Sequence, residues 1–348
     1  MQKLILIIFI PFFTVSVNAQ EYFNKHFEFD NINVADGGMN ILELDDGYLV
    51  NGVSGDSLNI SWWRWGLAKF NHSGELLWGK SWGDTISRRY FATHGSLFNL
   101  NGDTYALGGI ESYLPEGTHV EVALIKFDNN FDTVWVSRFG RGQAPQDSSY
   151  ILRDITTSGD GFVITGTVVI DYGETHQPFL LFLDSVGNYE NIVYYPDSDY
   201  FYQAQTITRT NDGGFAIGAY KLWVVSGGHK GRAYIIKTDS IGNHEWELNL
   251  GGDYINGPAL VCNSTDSSIV AASKFDTDSV FYNKNRSNIR LTNIDYNGDI
   301  IWDKYYTQGK LYSGVSGISN DNDDGFLISG IIGETIYDVE PDAMSYLL

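Results

Sequence analysis

A repeat of about 56 residues is the feature that most restricts the fold of this chain. One marker is the residue that follows an Asp-Gly-type turn, and it recurs at Tyr48, Thr104, Phe162, Phe215, Ile269 and Phe326. A second marker follows a later Asp-x-x-Gly-type turn and recurs at Trp78, Trp135, Asn191, Trp246 and Trp302, with Asn191 breaking the rule. Because two independent markers keep one period, we interpret the chain as a tandem array of one structural unit.

Each repeat contains four short runs rich in aromatic and β-branched residues and bounded by Gly, Asp and Asn, which is typical of strands. In one repeat, residues 215–219 form a second predicted strand and residues 235–238 a third. No window has a convincing helical period. The fold class is therefore predicted to be all-β, a β-propeller of about six four-stranded blades. An array of β-sandwiches is the alternative, although its repeats would be about 100 residues long.

The two ends of the chain complement each other within this repeat. Residues 22–29 match a fourth strand, and residues 346–348 match the beginning of a third strand. Their association would complete a last blade from both termini and remove free sheet edges. The competing interpretation is a C-terminally truncated fragment of a longer propeller, because the last strand stops in the middle of its pattern.

Residues 1–19 are predicted to be a signal peptide. Lys3 supplies the charged start, a short apolar run follows, and Ala19 ends a small-residue cleavage site. The expected mature chain, residues 20–348, is one propeller domain that is secreted or held at the cell surface, with no membrane insertion after cleavage. Cys262 is the only cysteine, which excludes an intramolecular disulfide. The formal net charge of −21 disfavours nucleic acid as a partner.

The Asp-Gly-Gly-Phe turn at residues 212–215, the Lys-x-Asp-x-x-Gly run at residues 237–242 and the trailing Trp246 together resemble a family of secreted bacterial β-propeller repeat proteins. The resemblance covers residues 22–348. It implies a propeller fold and export, often with a C-terminal secretion sorting domain, which this sequence does not contain. A looser similarity to quinoprotein-type propellers rests on the same Asp…Gly…Trp spacing. Those enzymes use an adjacent cysteine pair beside their cofactor, which a lone Cys262 cannot supply.

The repeat positions themselves are predicted to be structural. Equivalent positions in several repeats are not what ligand binding at a single site requires, so the tryptophans are expected to pack between blades. The predicted structural positions are Trp78, Trp135, Trp246, Trp302, Asp239 and Gly242.

No sequence motif identifies catalytic residues, a metal or a cofactor, and none of the three is predicted. The seven histidines form no metal-type pair, and no nucleophile elbow or phosphate-binding glycine loop occurs. Residues 320–325 resemble the start of a calcium loop, but a strand-like run replaces the downstream carboxylate, which favours a simple hairpin turn. Paired carboxylates that converge from different blades stay open as a hydrolytic site.

The stretches between the second and third strands differ in every repeat, and we expect them to be long loops on one face of the ring. They are residues 53–66, 110–122, 167–178, 220–233, 274–288 and 331–343. Variable loops on a rigid scaffold are common binding surfaces. The first candidate ligand-binding residues are Trp62, Trp63 and Arg64, since aromatic rings beside a guanidinium stack on sugars or hold peptides. The further candidates are Trp223 and Arg232, with Arg88, Arg89 and Arg141 at the rim.

The sequence therefore favours an exported, non-enzymatic binding or scaffold propeller whose partner is an extracellular glycan or protein. Two alternatives stay open. One is a polysaccharide-active hydrolase or lyase on the same scaffold, and the other is a structural cell-surface repeat protein.

Overall fold

The computed structural model describes residues 36–56, 59–82, 88–114, 117–140, 149–170, 175–195, 201–225, 228–251, 257–264, 266–276, 287–306, 312–320, 325–333 and 344–347. Every regular element in these ranges is a β-strand. The part of the chain that the structure describes contains no helix with the length and hydrophobicity needed to cross a bilayer. The predicted signal peptide and the predicted closing strand at residues 22–29 lie outside these ranges.

The strands group into six units, which we call blades 1 to 6 in chain order. Blades 1 and 2 consist of β1 (Asp36–Leu44), β2 (Gly47–Asp56), β3 (Asn59–Phe70), β4 (Leu76–Trp82), β5 (Arg88–Leu100), β6 (Asp103–Leu114), β7 (Gly117–Phe127) and β8 (Thr133–Phe139). Blades 3 and 4 consist of β9 (Ser149–Ser158), β10 (Gly161–Ile170), β11 (Thr175–Leu183), β12 (Tyr189–Tyr194), β13 (Phe201–Arg209), β14 (Phe215–Val225), β15 (Gly228–Thr238) and β16 (His244–Asn249). Blades 5 and 6 consist of β17 (Ala259–Asn263), β18 (Ser268–Asp276), β19 (Ser287–Asp295), β20 (Ile300–Tyr306), β21 (Tyr312–Asn320), β22 (Phe326–Gly333) and β23 (Met344–Leu347).

Within each blade, consecutive strands pair antiparallel in chain order, and blade 6 contains the three described strands β21, β22 and β23. The first strands of successive blades contact one another, which makes them the innermost strands of the array. One parallel bridge between His176 of β11 and Phe201 of β13 joins blades 3 and 4 into a single eight-stranded sheet. The prediction of an all-β propeller with about six blades is confirmed.

The core consists of apolar layers between neighbouring blades. Leu107 of blade 2 packs with Phe162 and Phe179 of blade 3, and all three side chains are buried. Similar layers fill the other junctions from blade 1 to blade 6. Each blade therefore buries its two faces only when both neighbours are present.

In blades 1 to 4 the predicted long loops between second and third strands are mostly strand, so that part of the sequence interpretation was wrong. In blades 5 and 6, residues 277–286 and 334–343 of the predicted loops lie outside the described residues. In blade 1, β2 ends at Asp56 and β3 begins at Asn59, and the two strands pair along this length. In blade 4, β14 ends at Val225 and β15 begins at Gly228. Blades 2 and 3 have the same long hairpins. These segments differ between repeats in sequence, but backbone pairing needs no particular side chain, and β-branched residues such as Val224 favour it. The end of the ring that carries these tips is called the hairpin face below.

The Asp-x-x-Gly turns between third and fourth strands are built by one acidic side chain. Asp239 Oδ1 accepts hydrogen bonds from the backbone N–H groups of Ile241 at 3.0 Å and Asn243 at 2.8 Å. Against the effect of desolvation, hydrogen bonds from Asn243 hold the pKa of Asp239 below its ordinary value. Gly242 has φ +88, a left-handed conformation that favours glycine. Asp184 and Asp295 make the same bonds in their own turns.

These turns pack against the outer strand of the preceding blade and accept a hydrogen bond from it. Trp246 Nε1 donates to the carbonyl oxygen of Tyr296 at 2.9 Å, and a Cβ added at Gly298 would lie 3.2 Å from the indole. Trp135 lies in the same way against Gly187, with Ser137 donating to the carbonyl oxygen of that glycine. The turns of blades 3 and 5 are thus fixed by the blade before them.

Asn191 breaks the tryptophan rule in blade 3, and a tyrosine replaces the missing contact. The Tyr195 hydroxyl donates to the carbonyl oxygen of Gly242 at 2.7 Å. A Cβ added at Gly242 would meet Val193 at 3.1 Å and Phe182 at 3.2 Å, both in blade 3. The junction of blades 3 and 4 therefore keeps a side-chain donor to the turn without the indole.

The lysine that begins the Lys-x-Asp-x-x-Gly run has a structural role in its own blade. The residue opposite the repeat Trp on the third strand is Lys69, Lys126 or Lys237 in blades 1, 2 and 4. Each ammonium lies 2.6–2.9 Å from a carboxylate of the Asp-Gly-type turn of its own blade, which is Asp46, Asp103 or Asp212. The two turn motifs of a blade are thus linked by one ion pair.

We expect Gly242→Ala to destabilise the fold more than Gly213→Ala does. Both glycines have nearly the same backbone conformation, with φ of +88 and +89, so alanine adds a left-handed strain of about 1–2 kcal/mol at each. A Cβ at Gly213 meets nothing within 4 Å, whereas a Cβ at Gly242 presses on blade 3. Denaturant unfolding of the two variants measures the difference. Equal losses of unfolding free energy would show that the turn does not bear on the neighbouring blade.

Trp246→Ala is expected to lower the free energy of unfolding by about 3–5 kcal/mol, because it empties the space between blades 4 and 5. Trp246→Phe retains most of the ring and removes the bond to Tyr296, so it is expected to cost about 0.5–1.5 kcal/mol beyond the lost ring volume. Thermal and denaturant unfolding measure both values. A Trp246→Ala variant that unfolds like the wild type would contradict the packing role.

Candidate functional site

The junction of blades 3 and 4 at the hairpin face concentrates polar and aromatic side chains. His176 and Phe201 form the parallel bridge, and their rings contact edge to face with centroids 4.8 Å apart. Nε2 of Gln203 lies 3.3 Å from Nδ1 of His176. The imidazole of blade 3 is thus oriented by two residues of blade 4.

A nearly buried ion pair lies in the same junction. Lys221 is 7% exposed, and its ammonium lies 2.7 Å from Oε1 of Glu247. The Tyr202 hydroxyl donates to Oε2 of the same carboxylate at 2.6 Å. The ammonium also stands 4.2 Å and 4.4 Å from the ring centroids of Tyr202 and Tyr234. A buried charge needs such compensation, and two aromatic faces with one carboxylate supply it.

This ion pair is peculiar to blade 4. Tyr202 corresponds to Tyr150 of blade 3, whose hydroxyl lies 3.0 Å from the Tyr194 hydroxyl and whose pKa is raised by burial. Position 221 lies six residues after the repeat marker Phe215, and the equivalent residues carry no charge; they are Ser54, Ile110, Val168, Phe275 and Ile332. The folding of the repeat therefore does not require a charge here.

Trp223 and Arg232, which the sequence analysis named together as candidate ligand-binding residues, lie next to each other. The Arg232 guanidinium carbon lies 5.1 Å from the Trp223 ring centroid, a cation–π geometry. Arg232 also pairs with Lys221 across β14 and β15. This places Trp223, Arg232 and Lys221 on one hairpin, with Glu247 on the adjoining strand β16. We call Lys221, Glu247, Tyr202, His176, Gln203, Trp223 and Arg232 the rim cluster.

The other candidate residues lie on blades 1 and 2 or outside the described residues. Trp62, Trp63 and Arg64 are strand residues of β3, not loop residues, and Arg64 is half-buried opposite Ser54. Arg88 and Arg89 begin β5. The side chains of Trp62, Trp63, Arg88 and Arg89 lie outside the described residues, as does all of Arg141. Arg64 lies on blade 1 and is not part of the rim cluster, and the binding role of all six residues stays a prediction.

An acidic residue on an innermost strand escaped the sequence reasoning. Asp154 follows a β-bulge on the innermost strand β9. Its carboxylate accepts hydrogen bonds from the backbone N–H groups of Ile207 in blade 4 and of Ile155, both at 2.9 Å. Burial raises the pKa of Asp154 to about 7, with the two N–H groups opposing the shift. Blade 4 has Thr206 at the equivalent place, where it accepts from Val261 N–H at 2.9 Å.

One sequence signal could have identified Asp154. It is a charged residue on a predicted first strand, at a position where the next repeat has the uncharged Thr206. Arg153, the neighbour of Asp154, occupies the bulge, and burial lowers the pKa of that guanidinium. The described residues contain no group of three or more His, Cys, Asp or Glu side chains that could hold a metal ion. The predicted calcium-like segment at residues 320–325 lies mostly outside the described ranges.

Comparison with protein-family models and with curated proteins gives no match. Among solved structures, the chain is similar to an ulvan lyase, a polysaccharide lyase bound to a repeat of glucuronic acid and sulfated rhamnose. The TM-score is 0.59 and the identity 11%, over 88% of this chain and 78% of that chain. The same lyase without ligand gives the same values. An α-L-arabinofuranosidase from Fusarium graminearum in complex with an iminosugar inhibitor has a TM-score of 0.47 and 10% identity, over 88% of this chain and 90% of that chain. At such identities the likeness to the lyase shows the fold.

Asp154→Asn is expected to become more stable relative to the wild type as pH rises from about 4 to about 7. The folded-state pKa of Asp154 is raised from 3.8 to about 7, so the folded state binds the proton more tightly than the unfolded chain does. The protonated carboxyl of Asp154 therefore makes its full contribution to wild-type stability at a pH below its pKa in the unfolded chain. This contribution is lost as pH rises through its pKa in the folded state. The variant has no such titration.

The measurement is the difference in Tm between variant and wild type across that pH range. The same replacement at the exposed Asp160 of the same blade is the control. A Tm difference that does not change with pH would contradict the buried state of the Asp154 carboxyl.

Proposed function

We propose that this protein is an exported propeller that acts on an extracellular polysaccharide at the rim cluster. The observation that carries the proposal is the charged and aromatic cluster at one blade junction, where Lys221 replaces a residue that is uncharged in every other repeat. The repeat does not need this buried charge for folding, so its presence at the junction that also contains His176 supports a binding or catalytic role. The predicted signal peptide supports export.

A glycan is favoured over a protein as the ligand because of the side-chain chemistry at the hairpin face. Trp223 offers an aromatic face for the apolar side of a sugar ring, and Arg232 offers a cation next to it. Gln203 and His176 add polar groups of the kind that fix a sugar by hydrogen bonds. The fold that this chain shares with a lyase bound to a glucuronic acid-containing repeat also supports a glycan.

Local positive charge points to an acidic sugar within this class. The chain carries a formal charge of −21, which repels polyanions in general. Arg232 is the candidate cation for a uronate carboxylate, because its guanidinium stands beside the Trp223 ring on which the sugar would stack. A bidentate guanidinium–carboxylate contact is a strong and directional one.

His176 is the candidate group for proton transfer. Imidazole titrates near neutral pH, and Phe201 and Gln203 fix its orientation. The ion pair with Tyr202 serves as a positioning element: Glu247 holds Lys221, and Lys221 holds the two tyrosine rings of the wall. Cleavage of a uronate by elimination requires removal of a proton next to the carboxylate, and hydrolysis requires protonation of the leaving oxygen.

Binding without turnover is the second candidate. It is favoured by the state of Glu247, whose two oxygens are occupied by Lys221 and Tyr202. The carboxylate is therefore not available as an acid or base of the kind that glycosidases use in pairs. In this case the protein is an exported glycan-binding scaffold.

The test is incubation of the purified mature chain with uronate-containing and neutral polysaccharides. Ultraviolet absorbance detects the unsaturated uronate formed by elimination, reducing-end release detects any cleavage, and affinity electrophoresis detects binding. Arg232→Ala is expected to weaken binding of the acidic polysaccharide about tenfold, the equivalent of about 1.4 kcal/mol. His176→Ala is expected to abolish turnover while binding persists.

Arg138→Ala, on the exposed outer strand of blade 2, is the matched control and is expected to behave like the wild type. Binding that depends on Arg232 without turnover would establish the second candidate. Absence of binding to every polysaccharide, or binding that Arg232→Ala leaves intact, would contradict the proposed site.

A further inference from the structure

The aliphatic stem of Arg232 lies directly on a glycine. Gly251 follows β16, and a Cβ added there would lie 2.5 Å from Cγ, 2.6 Å from Cβ and 3.0 Å from Cδ of Arg232. Carbon atoms at such distances overlap, so any other residue at position 251 has to displace this side chain. At its other end, the guanidinium carbon stands 5.1 Å from the centroid of the Trp223 ring. We call the contact between a glycine after the fourth strand and the stem of a third-strand side chain the stem contact.

Blade 2 contains the same contact with the opposite charge. Gly140 is five residues after the repeat Trp, as Gly251 is, and a Cβ added there would lie 3.1 Å from Cγ and 3.3 Å from Cβ of Glu121. Glu121 and Arg232 occupy one position of the repeat, since each pairs with the residue six places after the first marker of its blade. The stem contact therefore accepts an acidic or a basic residue.

Glycine and charge occur together at these two positions along the chain. In blades 1, 2 and 4 the pairs are Gly83 with Arg64, Gly140 with Glu121 and Gly251 with Arg232, and in blades 3 and 5 they are Pro196 with Gln177 and Thr307 with Asn288. Gly83, Pro196 and Thr307 are placed by the sequence alone, since they lie outside the described residues. The glycine thus accompanies a long charged side chain and is not a general requirement of the repeat.

A stem held in this way prepares Arg232 for binding. The side chain of arginine has several rotatable bonds, and fixing it before a ligand arrives removes part of the entropy loss on binding. A planar guanidinium offers its N–H groups in a geometry that matches a carboxylate. A side chain that is fixed at its stem by Gly251 and at its head by Trp223 is therefore suited to selecting a ligand by charge.

We propose that the residue at position 232 selects the charge of the sugar bound at the rim cluster, and that Gly251 is the positioning residue that makes this selection possible. The inference rests on the proposed function and adds the pair of residues that decides between an acidic and a neutral ligand. Gly251 has no side chain to contact a ligand and acts through Arg232. Because blade 2 holds Glu121 in the same contact, Arg232→Glu is expected to fit and to reverse the preference.

The test measures binding of the mature chain to polyglucuronate, polygalacturonate and polymannuronate by affinity electrophoresis, each beside its carboxyl-reduced neutral counterpart. The wild type is expected to bind at least one uronate polymer more tightly than the reduced form. Gly251→Ala is expected to weaken binding of that uronate polymer about tenfold, as Arg232→Ala does, and to leave binding of the reduced form unchanged. In the Arg232→Ala background, Gly251→Ala is expected to have no further effect on binding, which a general disturbance of the blade would not produce.

Two further variants separate positioning from folding. Gly140→Ala strains the equivalent contact of blade 2 and is the matched control, expected to retain the wild-type affinity for the uronate polymer. Arg232→Glu leaves Gly251 in place and is expected to bind the reduced form more tightly than the uronate polymer. Circular dichroism and the unfolding midpoint verify that each variant is folded, and Arg232→Glu decides the question should Gly251→Ala not fold.

Three outcomes would overturn this inference and leave the proposed function in place. They are a folded Gly251→Ala that binds the uronate polymer like the wild type, an equal loss of binding for the uronate polymer and its reduced form, or a folded Arg232→Glu that keeps the preference for the uronate polymer. Absence of wild-type binding to every polymer would contradict the proposed function, and this inference with it.

Discussion

The contact between the outer strand of one blade and the Asp-x-x-Gly turn of the next is the interaction on which the described array depends. An aspartate ties the turn, a left-handed glycine presents a flat backbone surface, and a side chain from the previous blade donates to a turn carbonyl. The donor varies among Trp246, Tyr195 and Ser137, while the geometry is retained. With a single cysteine in the chain, no intramolecular cross-link supports these junctions. Packing and these few directional bonds have to hold neighbouring blades together.

The sequence predicted the repeat, the strand order and the turns because each depends on local chemistry. Asp239 and Gly242 act within one turn, so their spacing is visible in the chain. The long hairpins were misjudged, since pairing of Tyr220–Val225 backbone with its partner strand is indifferent to the side chains that vary between repeats. The junction of His176 with Gln203, and of Asp154 with Ile207, could not be predicted. Each joins residues of different blades, and the sequence does not state how adjacent blades are rotated relative to one another.

The candidate site arises where one blade departs from the common pattern. Blade 4 replaces an uncharged residue by Lys221 and gains an ion pair beside two tyrosine rings. In a repeat protein the common positions carry the folding energy, so an exception that adds a buried charge or removes an ion pair costs stability. Such exceptions are therefore better guides to function than the repeated residues, including the tryptophans.

The single parallel bridge between His176 and Phe201 has a mechanical consequence. Elsewhere the described blades are separate sheets that meet through side chains, but blades 3 and 4 share a continuous hydrogen-bonded backbone. Arrays of repeats open in cooperative units whose size depends on the coupling between neighbours. Two blades joined through their backbones form one such unit of double length, and hydrogen exchange in both is expected to slow together. The rim cluster thus lies where two blades are joined through their backbones, and His176 is itself one of the two bridging residues.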